Sequence, residues 1–203
     1  SLGPVMYFID TAGASPNQAT PEHIVNLDMV GTGYAVDAFG RVMAEGSAGL
    51  IISSQAAYMY PIPNKDELQI VNTATDNLAA LPIVRDVAMQ NSGLAYMIAK
   101  RVNHLQAQRA AATTWRERRA RINTISPGII VTPLAYDEFN ANGAGYQAMT
   151  DASAARRVAS SDEIADAAAF LLGEHATFIN GTDLLIDGGV IASLRMGMFK
   201  LQG

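Results

Sequence analysis

Four short apolar runs, each separated from the next by a long stretch of helical spacing, restrict this chain more than any other feature. They occupy residues 5–9, 50–53, 122–125 and 184–186. Strand-like runs that alternate with helices mark βαβ units and a parallel sheet. The runs are short and, apart from Ser53, Asn123 and Thr124, apolar, as strands covered on both faces are. The fold class that follows is α/β, an open parallel sheet flanked by helices.

The intervening stretches carry their own start and stop signals. Thr20, Pro21 and Glu22 supply an N-cap, a proline at the first helical position and an acid in the first turn, and apolar residues follow at 24, 27, 31, 34, 38 and 42. Ser160 and Glu163 form a capping box ahead of Ile164, Ala167, Ala168, Leu171 and Leu172, with Gly173 as the stop. Residues 94–119 read as one long helix whose basic end, from Trp115 to Arg121, suits the negative pole of a helix dipole. Between 55 and 93, three prolines interrupt a sequence whose Leu68, Ile70, Val71, Leu78, Leu81, Ile83 and Val84 are too apolar for a solvated linker. That region is expected to be an ordered excursion packed on the domain, with one helical piece near 65–71. The expected organisation is thus one domain over 1–203 with an insertion at about 55–93.

Composition removes several functions. Fourteen Lys and Arg against nineteen Asp and Glu leave a net charge of −5, which argues against a phosphate-binding surface for nucleic acid. No stretch approaches the roughly 18 apolar residues of a membrane span. The absence of cysteine excludes disulfides, a thiolate zinc site and a Cys nucleophile, and fits a reducing, cytoplasmic setting. No His, Asp and Glu grouping has ligand spacing on one face, so no metal is expected. Charged residues make up 16%, below the roughly 25% of an average soluble protein, which suggests that other subunits cover part of the surface.

Tyr96 and Lys100 lie four apart, hence on one face of their helix. They form a usable acid/base pair: a free phenol titrates near 10, and working near neutrality needs roughly 4 kcal/mol of preferential stabilisation of the phenolate. Ser53 and Ser54 end a parallel strand, the position where open α/β sheets hold their ligands. The next strand runs into Pro127-Gly128-Ile129-Ile130-Val131-Thr132, and the last into Asp187-Gly188-Gly189.

In this order, Ser54, Tyr96-x-x-x-Lys100, the Asn123–Thr132 run, Arg157 ahead of Glu163-Ile164-Ala165, and Asp187-Gly188-Gly189 resemble the short-chain dehydrogenase/reductase family, over nearly all of the chain outside 55–93. The resemblance implies NAD(P)-dependent interconversion of an alcohol and a ketone. It implies that Tyr96 gives or takes the proton, that Lys100 holds the nicotinamide ribose and assists Tyr96, and that Ser54 orients the substrate oxygen. Pro127, Gly128, Ile130 and Thr132 would hold the nicotinamide carboxamide, and Ala12 and Gly13 would also contact the cofactor. Family members commonly pair through the Tyr-Lys helix, so a homo-oligomer is expected.

Three departures accompany the resemblance. The chain begins at what matches the family's fourth strand, so it is expected to be the C-terminal part of an enzyme, without the segment that chooses NAD or NADP. The strands present would be the contiguous block 4-5-6-7, and the run at 5–9 would form an apolar edge open to another chain. The family's catalytic Asn, in an Asn-x-x-Gly pattern, falls on Asp28, which would act largely through its main-chain carbonyl; Asn26 lies on the wrong helix face. Ser54 and Tyr96 stand 42 positions apart, well beyond the family's usual interval. Some hydroxysteroid dehydrogenases carry a comparable insertion, which suggests a bulky apolar alcohol or ketone. Tyr58, Met59, Tyr60 and Ile62 suit either such a ligand or simple packing of the excursion.

Two other readings compete. One is an inactive fragment that serves only as a structural or partner-binding module. The other is a serine hydrolase using Ser54, against which stand the lack of a G-x-S-x-G elbow and the settings of the histidines; His104, one turn past Lys100, reads as a helix-face residue. Gly31-Thr32-Gly33 lies inside a helix with no strand before it, and so reads as helix packing rather than a dinucleotide fingerprint.

Overall fold

A computed structural model describes residues 3–200, apart from the side chains at 134, 136–138 and 141. Strands β1 (Val5–Asp10), β2 (Met43–Ile52), β3 (Arg121–Pro127) and β6 (Asp183–Ile186) form a parallel sheet in the order β1-β2-β3-β6. The short strands β4 (Ile130–Val131) and β5 (Ala159–Ser160) pair separately beyond the end of β3. All four expected strands are present, and β2 begins well before the apolar run at 50–53 because its first half is covered less evenly.

Each face of the sheet buries one layer. Phe8, Ile51 and Ile122 meet Val36, Met43, Ala107, Ala110 and Trp115 on one side. On the other side Leu50 and Ile125 pack against Leu171, with Ile164, Ala167, Ala168 and Leu172 of helix α7 (Ser161–Leu172) around them. The alternation of Leu50 and Ile51 between layers explains why β2 tolerates no polar residue here. Gly49 faces the first layer, where a Cβ would collide with the Trp115 ring. β1 is the edge of the described sheet, and its Tyr7 and Ile9 are 62% and 52% exposed, matching the expected apolar edge.

The rod from Pro21 to Gly40 corrects the expected helix face. It consists of α1 (Pro21–Ile24), a π-helical stretch (Val25–Gly31) and α2 (Thr32–Gly40). Its buried residues are Ile24, Val25, Asp28, Met29, Thr32, Gly33, Val36 and Gly40, whereas Tyr34 is 51% exposed and position 42 lies beyond the helix. Apolar spacing missed this face because half of it is polar or glycine. The π turns free backbone carbonyls: those of Asp28 and Met29 accept the side-chain amides of Asn103 and Gln106, at 2.7 and 2.8 Å, from helix α4 (Ser92–Ala112). Gly31-Thr32-Gly33 is helix packing as expected, since a Cβ on Gly33 would stand 2.8 Å from Gln106 Nε2.

The helix expected over 94–119 is interrupted. Thr113 takes φ −124° and ψ −105°, and the short helix α5 (Thr114–Glu117) follows at a new angle. The break turns Trp115 wholly into the core, where its indole N–H donates to the Val36 carbonyl at 3.0 Å. The basic cluster is likewise divided among partners. Arg121 sits on β3 and donates to the carbonyls of Leu171, Leu172 and Gly173, capping α7 rather than its own helix.

The region 55–93 is ordered, in short helical pieces that include α3 (Asn64–Val71). Ile70, Leu78, Leu81, Ile83 and Val84 are buried against Ile24, Met29, Ile98 and Val102, while Leu68, counted with them as too apolar for a solvated linker, is exposed. This layer lies along α4, tied to it by Arg101–Glu67 at 2.7 Å and by Arg109 donating to the Thr73 carbonyl.

Candidate active site

Three chain segments meet at the C-terminal end of the sheet. β2 delivers Ser53 and Ser54, α4 delivers Tyr96 and Lys100, and β3 delivers Pro127 and Gly128, followed by Ile129, Ile130 and Thr132. Ser54, Tyr96, Pro127, Gly128, Ile130 and Thr132 all line one cavity of about 580 Å³. Helix α6 (Pro133–Ala152), N-capped by the Thr132 hydroxyl, adds Phe139, Tyr146 and Met149, which sequence reasoning missed because their segment carried no recognisable pattern. Thr11, Met59, Gly93 and Met97 complete much of the remaining wall.

Local hydrogen bonds fix these positions. Ser53 is buried and donates to the Lys100 carbonyl at 2.9 Å, which pins the end of β2 to α4. Ser54 caps the 3-10 turn Gln55–Tyr58, its oxygen accepting the Ala56 N–H at 3.1 Å, so its own O–H remains to donate. The Lys100 ammonium stands 5.3 Å from the centroid of the Tyr96 ring.

Neither Asp28 nor Lys100 lines the cavity, and the two side chains pair with each other. The Asp28 Oδ2 is 3.3 Å from Lys100 Nζ, its Oδ1 accepts the Ala14 N–H at 2.8 Å, and its main-chain carbonyl already receives Asn103. Burial pushes the Asp28 carboxyl above the ordinary carboxylate value, and the Lys100 charge and the Ala14 N–H hold it back. Asn26 is exposed, as expected.

Gly13 closes the same corner. A Cβ there would stand 3.1 Å from Lys100 Nζ and 3.2 Å from Asp28 Oδ2, so the glycine lets the turn after β1 lie close against the pair. Ala12 donates its N–H to Asp10 Oδ1 at 3.0 Å, so Asp10 shapes the turn. Gly128 has a similar reason: a Cβ would lie 2.6 Å from Asp187 Cα. Asp187 itself accepts the N–H groups of Gly189 and Ile191 and caps helix α8 (Val190–Arg195). Arg157 binds both oxygens of Glu163, which with the Ser160 N–H holds that carboxyl down at about 2.

The expected choice between ligand and packing for residues 58–62 divides residue by residue. Met59 lines the cavity, Tyr60 and Ile62 pack in the core, and the Tyr58 hydroxyl binds Asp183. His104, read from the sequence as a helix-face residue, is 1% exposed and hydrogen-bonded to Ser126 in a polar cluster. Among the described residues no group of His, Asp and Glu has the geometry of a metal site, and no helix is long and apolar enough to cross a membrane.

Comparison with known proteins defines the class. A family model described as enoyl-(acyl carrier protein) reductase matches residues 77–191. The chain is 37% identical over 197 residues to the short-chain dehydrogenase/reductase bsc3 of Alternaria brassicicola, covering 96% of this chain and 71% of that protein. It is 29% identical over 190 residues to a 3-alpha-hydroxysteroid dehydrogenase/carbonyl reductase of Comamonas testosteroni, covering 93% and 73%. Among solved structures, the 3-alpha-hydroxysteroid dehydrogenase of Pseudomonas sp. B-0831 complexed with NADH superposes with a TM-score of 0.77 at 27% identity, covering 97% of this chain and 76% of that one. The chain therefore belongs to the short-chain dehydrogenase/reductase family, and it is an oxidoreductase.

Proposed function

We propose that this protein interconverts an alcohol and a ketone with NAD or NADP, and that Tyr96 is its acid/base. The observation that carries this reading is the convergence of Ser54, Tyr96 and the Gly128–Thr132 run on one cavity, with Lys100 one helical turn from Tyr96. The residues present fit the nicotinamide end of the cofactor. Gly13 brings the turn after β1 against Lys100, Gly128 brings the loop after β3 against Asp187, and Lys100, Thr132 and the backbone near Ile130 supply donors and acceptors for a ribose and a carboxamide. Bound there, a reduced nicotinamide supplies the hydride that the carbonyl carbon receives.

The chain's own groups manage the oxygen. Ser54 donates its O–H to the substrate oxygen and fixes its direction. Tyr96 gives its phenolic proton to that oxygen in reduction and takes it back in oxidation. Lys100 places positive charge beside the ring, where it stabilises the negative oxygen left after the proton has gone. Asp28 keeps the ammonium in place through its carboxylate at 3.3 Å.

The walls suit a bulky apolar substrate. Met59, Met97, Phe139, Met149 and Ile164 are among the apolar residues that line the cavity around the polar groups. We also infer a homo-oligomer, whose interface differs from the α4 face that the 55–93 layer already covers.

Nicotinamide fluorescence tests the reading. Saturable binding of NADH or NADPH, followed by its oxidation when a polycyclic ketone is added, is expected. Failure of the folded protein to bind either nucleotide would contradict it.

A further inference from the structure

A largely buried polar cluster adjoins the segments that line the cavity. Asp183, the first residue of β6, is its centre. Its Oδ1 accepts the hydroxyls of Thr124 and Ser126, the latter at 2.9 Å, and its Oδ2 accepts the Tyr58 hydroxyl at 2.6 Å. His104 Nε2 stands 2.9 Å from Ser126 Oγ and 3.2 Å from Asp183 Oδ1. The His104 Nδ1 faces Arg101 Nη1 at 3.2 Å. A guanidinium only donates, so Nδ1 is the acceptor and Nε2 carries the proton. Arg101 in turn binds Glu67.

The members belong to the segments that carry the site. His104 follows Tyr96 and Lys100 at the same helical interval, so the three share one face of α4. Ser126 immediately precedes Pro127 and Gly128. Tyr58 closes the 3-10 turn that Ser54 caps. One carboxylate thus ties the Ser54 turn to the exit of β3 and to α4. A buried group of this kind is weak as a stabiliser, since apolar residues of equal volume would hold the fold as well or better, and its value lies in fixing one arrangement.

We infer that Tyr58 and Asp183 are positioning residues for the reaction: the hydrogen bond from the Tyr58 hydroxyl to the Asp183 carboxylate anchors the Gln55–Tyr58 turn and thereby holds the Ser54 hydroxyl at the substrate oxygen. The inference rests on the role proposed above for Ser54. Tyr58 reaches the substrate only through that turn, and its phenol is held strongly protonated by burial and by Asp183, so it donates and does not exchange a proton.

A double-mutant cycle on the intact enzyme separates positioning from mere support of the fold. Tyr58→Phe deletes one oxygen and keeps the ring. It should lower kcat/KM for the ketone about tenfold, leave the dissociation constant for NAD(P)H within twofold and shift Tm by only a few degrees. Added to Ser54→Ala, the same substitution should lower activity by less than twofold, because the hydroxyl it positions is gone. Asp183→Asn, which keeps an acceptor for Tyr58, should retain more activity than Asp183→Ala. If Ser54→Ala is crippled but Tyr58→Phe has the same tenfold effect in both backgrounds, or none in either, the inference is overturned while the site reading stands. Wild-type turnover in Ser54→Ala overturns the role of Ser54 and this inference together.

Discussion

Lys100 Nζ and Asp28 Oδ2 face each other at 3.3 Å, with side-chain exposures of 5% and 0%. Removing one partner of such a buried pair leaves an uncompensated charge, whereas replacing both with apolar groups of similar shape does not. Asp28→Ala should therefore lower the unfolding free energy by about 3–5 kcal/mol. The double variant Asp28→Leu/Lys100→Met should recover part of that loss and yet be inactive. Urea denaturation of the three proteins checks both statements; an Asp28→Ala protein as stable as wild type would show that the pair does not hold this corner.

His104 gives a pH dependence with a definite sign. Burial, the largest influence, pushes its pKa from 6.5 down to about 4, against the opposing pull of Asp183. The unfolded chain then binds a proton that the folded chain refuses. Stability is full above about pH 6.5 and falls as the pH drops toward 4, by up to about 3 kcal/mol. Thermal unfolding across that window should show a shallower acid slope for His104→Gln than for wild type. Equal slopes would mean that His104 accepts its proton in the folded state.

The sheet was legible in the sequence because strands covered on both faces are short, mostly apolar runs, as at residues 50–52. Ser54, Tyr96, Lys100 and the Gly128–Thr132 loop were legible for a related reason: their order along the chain is tied to the ends of those strands. The buried face of the Pro21–Gly40 rod was not, since Asp28, Thr32 and Gly33 are buried by specific partners on α4 and break the apolar period. Nor was the fate of the basic cluster. Whether Arg121 serves its own helix or α7 depends on a tertiary contact fifty residues away, which local charge patterning does not encode.

Arg121 offers a direct check on that contact. Its guanidinium donates to the carbonyls of Leu171, Leu172 and Gly173 at the end of α7. Arg121→Met keeps the length and removes the donors, and should destabilise the protein by about 3 kcal/mol. Hydrogen exchange should locate the loss at the C-terminal turn of α7, and unchanged protection there would refute the capping role.

Gly128 connects backbone geometry to cofactor binding. The alanine Cβ would lie 2.6 Å from the Asp187 backbone, which has no side-chain freedom with which to yield. Gly128→Ala should push the loop ahead of α6 outward and weaken NAD(P)H binding about tenfold, or ~1.4 kcal/mol. The nicotinamide titration reads this directly, and wild-type affinity would remove Gly128 from the cofactor site.

The measurement that bears most directly on the account is the turnover of Tyr96→Phe, taken at saturating nucleotide and ketone beside a nucleotide titration of the same protein. Binding should stay within a few-fold of wild type while kcat falls by at least about 10²-fold, the contribution expected of a positioned proton donor. Turnover within tenfold of wild type, with the nucleotide bound, would contradict the assignment of Tyr96 as the acid/base.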